Sequence, residues 1–270
     1  MSGRLSAVLA AALALVLILA IAVFPLLLGD LGLRAEFSAR NLAPGASHLF
    51  GTDQMGRDIL ARSLHGLALS LWVGLIAAGL SVLISALIAM ASGLGRRADQ
   101  VAGFVTDGFL AMPHLMLLIL LAFAFGGGTT AVILAVAVSH WPRLARILRA
   151  ELLQIRAAPY VETARALGRS RLHITWHHIL PHLLPQMLVG FLLMFPHAIL
   201  HEAALTFLGF GLEPSRPAIG VMLSEAMRHI SAGRWWLAVF PGVMLLALVL
   251  SFEMLGTALR RLISPREAQC

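Results

Sequence analysis

Lysine is missing altogether: all 20 basic residues among the 270 are arginine. A phosphate-binding loop of the GxxxxGK[ST] kind is therefore excluded, because its lysine is the group that reaches the phosphates. Cysteine is nearly missing, since Cys270 is the only one. No intramolecular disulfide can form, and thiol usage says nothing about compartment. Charge is scarce too, at 12% of residues where soluble domains carry about a quarter. No Ser/His/Asp set and no nucleophilic cysteine can be picked out, which leaves an intramembrane enzyme without a catalytic group.

What fills the chain instead is apolar: 59% of residues are hydrophobic and the mean hydropathy is +0.88. A helix crosses a bilayer core with roughly 20 such residues. Runs of that length predict a first span over Ser6 to Leu28, a second over Leu67 to Gly93, a fourth from Thr130, a fifth over Leu183 to Gly209 and a sixth over Trp236 to Leu259. A third, Val101 to Phe125, is interrupted by Met112-Pro113 and closed by Gly126-Gly127-Gly128. The first run is longer than a signal-peptide core of about 7 to 15 residues and reads as a retained span. The expected fold class is thus an all-α membrane protein of about six spans. Residues 1–66 are expected to form a first span with an extramembrane arm, and residues 67–270 a five-span core.

Three polar stretches stand out. In the arm, FGTDQMGRDILARSLHG offers Thr52 or Asp53 as a helix cap, an Asp58/Arg62 pair at i, i+4, and a leucine face that predicts a short helix at the membrane surface. Between spans four and five, Glu162, Arg165 and Arg169 recur on one helical face and Val161, Ala164 and Gly168 on another. Gly168 can take the left-handed conformation that ends a helix, Ser170 can cap the next one, and Leu172, Trp176, Ile179 and Leu180 supply an apolar stripe before Pro181. The motif predicts helix, sharp turn, helix. Between spans five and six, Pro214 and Pro217 break the helix, Met222, Ala226 and Ile230 suggest a short surface helix, and Trp235-Trp236 suit a membrane interface.

Arginine placement orients the chain. The side of the Glu162 loop holds 13: Arg4, Arg96, Arg97, seven from Arg143 to Arg171, and Arg260, Arg261 and Arg266. The other side holds seven, Arg34, Arg40, Arg57, Arg62, Arg216, Arg228 and Arg234. Basic residues collect on the cytoplasmic side, so both termini and the Glu162 loop are expected there. Distributed in this way between apolar spans, the arginines speak for membrane orientation and against nucleic acid.

Histidine is the remaining chemical signal. His197 and His201 lie at i, i+4 on span five with Glu202 about 100° further round, a spacing that can hold a borderline metal or satisfy a neighbouring helix. His201-Glu202-Ala-Ala-Leu205 lacks the second histidine of a zinc-protease motif. His173, His177, His178 and His182 also have helical spacing, but on the loop.

The pattern Glu162-x-Ala164-x3-Gly168-x9-His178-Ile-Leu-Pro181 resembles the EAA loop of ABC importer permeases, with Thr163 where that loop usually has alanine. Over nearly the whole length the chain is similar to the dipeptide, oligopeptide and nickel permease family. The resemblance implies a type I ABC importer permease fold of the bacterial inner membrane. It makes residues 155–182 a coupling loop in which Glu162, Ala164, Gly168, His178 and Pro181 meet an ATPase. The GTDxxGRD core, Gly51, Thr52, Asp53, Gly56, Arg57 and Asp58, resembles a signature of one permease type and implies a structural arm. Glu202, Thr206, Phe207, Leu208, Gly209 and Gly211 match an acidic residue followed by SFLGLG.

The expected partners are a second permease, two ATPases that use ATP and magnesium, an external solute-binding protein and the bilayer. No cofactor is expected in this chain. His197 and His201, with Ser139-His140-Trp141, look more like the nickel branch than the peptide branch. The expected cargo is therefore nickel or a metal chelate, with a dipeptide or oligopeptide as the alternative. An ion-coupled transporter with Asp107, Glu202 and Glu253 as a relay is the competing class.

Overall fold

The computed structural model describes residues 2–30 and 32–263; Arg266 and Cys270 lie outside them. Among the described residues the chain is all helical, built from α1 (Ser2–Leu28), α2 (Ile59–Ser92), α3 (Arg96–Ala111), α4 (His114–Ala124), α5 (Gly128–Arg156), α6 (Pro159–Ala166), α7 (Arg171–Ile174), α8 (Leu180–Phe207), α9 (Ile219–Met227) and α10 (Trp236–Ile263). Five helices are long and apolar enough to cross a membrane, and α3 with α4 make a sixth candidate bent by 100°.

α1 buries little of itself. Ala7, Ala14 and Ile21, seven residues apart, are its buried seam and it packs on α10, while Leu13, Val16 and Leu26 on its other sides are left bare. A helix with so narrow a protein-facing stripe and such apolar flanks is solvated by lipid.

α2 corrects two expectations. Asp58, not Thr52 or Asp53, is its N-cap, accepting from the Ala61 amide at 3.0 Å. From there the helix runs 34 residues without a break, about 51 Å at 1.5 Å per residue, so the surface helix and the second span are one rod and position 66 falls inside it. Its buried face is small: Ser63, Gly66, Ser70, Gly74, Ala77, Ser81, Ser85 and Ala89 let α5 and α8 approach closely. A side chain at Gly74 would meet the Phe195 ring at 2.8 Å. The Ser85 hydroxyl bonds across to the Trp141 carbonyl at 2.9 Å.

The interruption at Met112-Pro113 is real. Met112 is extended, as a residue before proline prefers, and α4 starts afresh. Contacts with α5 then advance in strict reverse order: Asp99 to Arg149, Asp107 to Arg146, Phe109 to Trp141, His114 to His140, and finally Leu118 and Ala122 in one buried cluster with Val132, Ala135 and Val136. A re-entrant loop would climb along α5 and come back down. This segment only climbs, which makes the bent pair one broken crossing and the total six.

α9 is not a surface helix. Ile219, Gly220, Val221, Met222 and Ala226 are buried against α8, α10 and α2, and a Cβ at Gly220 would stand 2.5 Å from the Ala203 carbonyl. Trp235 is half exposed as an interface residue would be, but Trp236 is buried and its indole donates to the Thr52 carbonyl at 3.3 Å.

Candidate functional site

The loop between α5 and α8 is a docked hairpin with one face left open. Pro159 starts α6 at the position where its missing N–H costs nothing, and Ala158 before it is extended. Val161 and Ala164 are buried among Leu148, Leu152, Ile155, Ile179 and Leu183, while Glu162, Arg165 and Arg169 face solvent. Gly168 ends the helix at φ +77°, with its own amide on the Arg165 carbonyl at 2.9 Å and the Arg169 amide on the Ala164 carbonyl at 3.1 Å. That pair of bonds is a Schellman cap. Ser170 Oγ accepts from the His173 amide at 3.2 Å and opens the return helix.

Thr175–Ile179 forms a π-helical turn. The expected apolar stripe splits there: Ile179 is buried with Ile174, whereas Leu172 and Trp176 are exposed. His178 is half-buried, 5.9 Å ring to ring from Tyr160, and Pro181 is exposed. Of the five residues singled out here, Ala164 therefore anchors the hairpin, and Glu162, Gly168 and Pro181 lie on its open surface.

The arm on the opposite face is organised by Asp53. Its carboxylate is buried and accepts from the Met55 and Arg57 amides at 2.7 and 2.9 Å, from Arg57 Nε at 2.7 Å and from Arg62 Nη1 at 2.5 Å. Arg62 also reaches Glu225 of α9 at 3.1 Å. The expected Asp58/Arg62 pair does not form: Asp58 caps α2 and takes His48 at 2.9 Å instead. Thr52 is buried, donating to the Ala39 carbonyl at 2.5 Å and accepting from the Leu42 amide at 2.8 Å. Gly51 and Gly56 both have positive φ, and Cβ atoms there would fall 2.6 Å from the Leu42 carbonyl and 1.7 Å from that of Glu36.

Between the α3–α4 break, α5 and α8 opens a cavity of about 410 Å³, lined among others by His114, His140, Arg143, His197, His201 and Arg260. The expected grouping of His197, His201 and Glu202 does not hold. His201 turns to His114 and His140, their three rings 4.7 to 5.0 Å apart between centroids. His197 lines the cavity but stands outside this trio, its Nδ1 on the Leu193 carbonyl at 3.2 Å. Glu202 is fully buried on another side of α8, accepting from Thr206 Oγ1 at 3.0 Å, and that hydroxyl accepts in turn from the Leu212 amide. Its match to the acidic-SFLGLG pattern is thus a brace for the turn after α8.

The relay of Asp107, Glu202 and Glu253 also dissolves. Asp107 is paired with Arg146 at 2.6 Å, Glu202 is taken up by Thr206, and Glu253 is exposed on α10. His114 escaped notice because nothing in sequence spacing ties it to positions 140 and 201. The one available signal was its place just after the Met112-Pro113 break.

Residues 81–267 match the model of a family described as the binding-protein-dependent transport system inner membrane component. The dipeptide transport system permease protein DppC of Bacillus subtilis is 32% identical over 234 residues, 86% of this chain and 73% of that one. The protein of the same name in Alkalihalophilus pseudofirmus is 34% identical over 248 residues, 91% of this chain and 81% of its own. A Brucella suis chain whose name assigns it to a peptide transport system is 40% identical over 223 residues, 83% and 75% of the two lengths. Among solved structures, the MetNI methionine ABC transporter in an inward-facing form superposes with a TM-score of 0.61 at 18% identity, over 76% of this chain and 96% of that one. An amino acid ABC transporter with histidines gives 0.57 at 20%, over 75% and 94%. The fold is that of type I ABC importer permeases. These relatives give no support to nickel or a metal chelate as cargo, and that expectation is withdrawn.

Proposed function

The chain belongs to the binding-protein-dependent transport system inner membrane components, as a permease of an ABC importer, and on that premise we propose that its cargo is a dipeptide or short peptide. In this reading it forms half of the passage beside a second, related permease, receives cargo from an external binding protein and is driven by two ATPases on the cytoplasmic side. Peptide cargo draws its support from the names of relatives at 32 to 40% identity over most of the chain. The cavity between α4, α5 and α8 suits it, with apolar walls and arginines at 143 and 260 available to a terminal carboxylate.

The observation that carries the coupling role is the hairpin itself. One face is packed into the bundle, and the other offers Glu162, Arg165, Leu167 and Arg169 to solvent with no partner of this chain covering them. A rigidly seated projection transmits a push; a loose one absorbs it. Closure of the ATPases would move the α6 hairpin, and with it α5 and α8, which line the cavity.

The test is ATP hydrolysis by the chain purified with its partner subunits in lipid, with a dipeptide and the cognate binding protein added. Hydrolysis stimulated by peptide is the expected result, with a Glu162→Ala variant that still assembles but loses uptake by about tenfold, the size of an ordinary coupling energy. Uptake by vesicles holding this chain alone would overturn the reading in favour of an ion-coupled carrier.

A further inference from the structure

The three histidines of the cavity wall come from three separate helices, so local spacing does not explain their meeting. One ligand nitrogen from each of His114, His140 and His201 lies within 4.8 Å of the others. The rings stand edge to face, with interplanar angles of 75 to 82°, like the blades of a propeller. Two of them are held from behind: His140 Nδ1 is 2.9 Å from the Val136 carbonyl and His201 Nδ1 is 2.6 Å from the His197 carbonyl. A carbonyl oxygen only accepts, so each Nδ1 carries the proton and each Nε2 is left with a free lone pair. His140 Nε2 is buried with no hydrogen-bond partner among the described residues. A buried acceptor left unpaired in apolar surroundings calls for an occupant.

We propose that His114, His140 and His201 bind a divalent first-row transition ion of the zinc, cobalt or nickel class, and that this ion clamps the passage instead of travelling through it. Three imidazoles with Nδ1–H bonds to carbonyls are the ligand set and supporting shell such ions take. A tetrahedral ion with Zn–N of about 2.0 to 2.1 Å brings its ligand nitrogens to about 3.3 Å, a short inward rotation from the observed spacing. Three neutral imidazoles leave one position open and the charge uncompensated. Arg143, on the same wall, favours an anion such as chloride or hydroxide in that position.

The consequence is mechanical. His114 begins the half-span after the break, His140 is midway along α5, and His201 is near the end of α8. An ion bound to all three fastens the broken crossing to both core helices and holds the wall in one geometry. The clamp rests on the reading of this cavity as the pathway; the ion site does not.

Cobalt(II) binding tests the site in the full complex in lipid, in a His173→Ala/His177→Ala background that removes the loop histidines. One equivalent with the intense visible bands of tetrahedral cobalt is expected, lost in His201→Ala and in His140→Gln and kept in His197→Ala. No such bands, or bands that persist in both variants, would overturn the proposal. Two variants on different helices guard against one that fails to fold. Zinc should then depress peptide uptake in the native complex and not in His201→Ala. Cobalt bands with zinc-insensitive uptake would overturn the clamp. A complex that moves no peptide at all would instead indict the cargo assignment, which the cobalt spectra do not depend on.

Discussion

Asp53 shows how much one carboxylate can hold. It is buried, ties two amides of its own turn, and neutralises Arg57 and Arg62, the second of which carries the link on to Glu225. Removing one partner of such a group leaves buried arginines uncompensated, a loss of about 3 to 5 kcal/mol where a whole pair can be replaced at little cost. Asp53→Ala is therefore expected to lower the melting temperature of the detergent-solubilised protein sharply, and Glu225→Gln, whose carboxylate is partly exposed, much less. Equal melting of the two would show that Asp53 is not the hub.

At this scale the sequence was half legible. The glycine and aspartate spacing around Gly51 and Asp58 marked a tight arm, because positive φ and capping are local requirements. What it could not show was that Arg62 would ignore Asp58, four residues away, for Asp53 and Glu225. That choice depends on where α9 lands, 163 residues further on.

At the scale of elements, the Gly168 turn separates conformation from contact. A Cβ there would meet nothing within 4 Å, so only φ +77° restricts the position. A β-branched residue is strained in that conformation by about 1 to 2 kcal/mol, and asparagine much less. Gly168→Asn is expected to keep peptide-stimulated ATP hydrolysis coupled to uptake, and Gly168→Val to uncouple them with the bundle's melting unchanged. Loss of coupling in both would mean that the ATPase needs a bare surface at 168. Capping signals of this kind are read from neighbours in the chain, which is why Gly168 and Ser170 fell where sequence placed them.

The apolar stripe after them was misplaced for an equally local reason. The π turn at Thr175–Ile179 holds about one residue more than an α turn, and that extra residue rotates everything beyond it. Leu172 and Trp176 are thrown outward while Ile179 and Leu183 stay in the core. The same limit concealed the length of α2: a polar first half and an apolar second half read as two elements, although nothing breaks the helix between Ile59 and Ser92.

For the whole molecule, the count of crossings decides which side each site faces. With α3 and α4 as a re-entrant loop, the chain would cross five times and the Glu162 hairpin would share a side with the Asp53 arm. The monotonic climb of Asp99, Asp107, Phe109 and His114 along α5 makes the bent pair a crossing and puts hairpin and arm on opposite sides. The arginine excess on the hairpin side then assigns that side to the cytoplasm. Leu167, 77% exposed at the tip of the hairpin, and Arg34, exposed in the arm, report the two sides. In a Cys270→Ser background, Leu167→Cys should react with a membrane-impermeant maleimide only in inside-out vesicles, and Arg34→Cys only in intact cells with a permeabilised outer membrane. Labelling of both from one side would restore the re-entrant loop and break the orientation. Labelling of each from the unexpected side would keep six crossings, turn the hairpin away from cytoplasmic ATP and remove the physical basis for coupling.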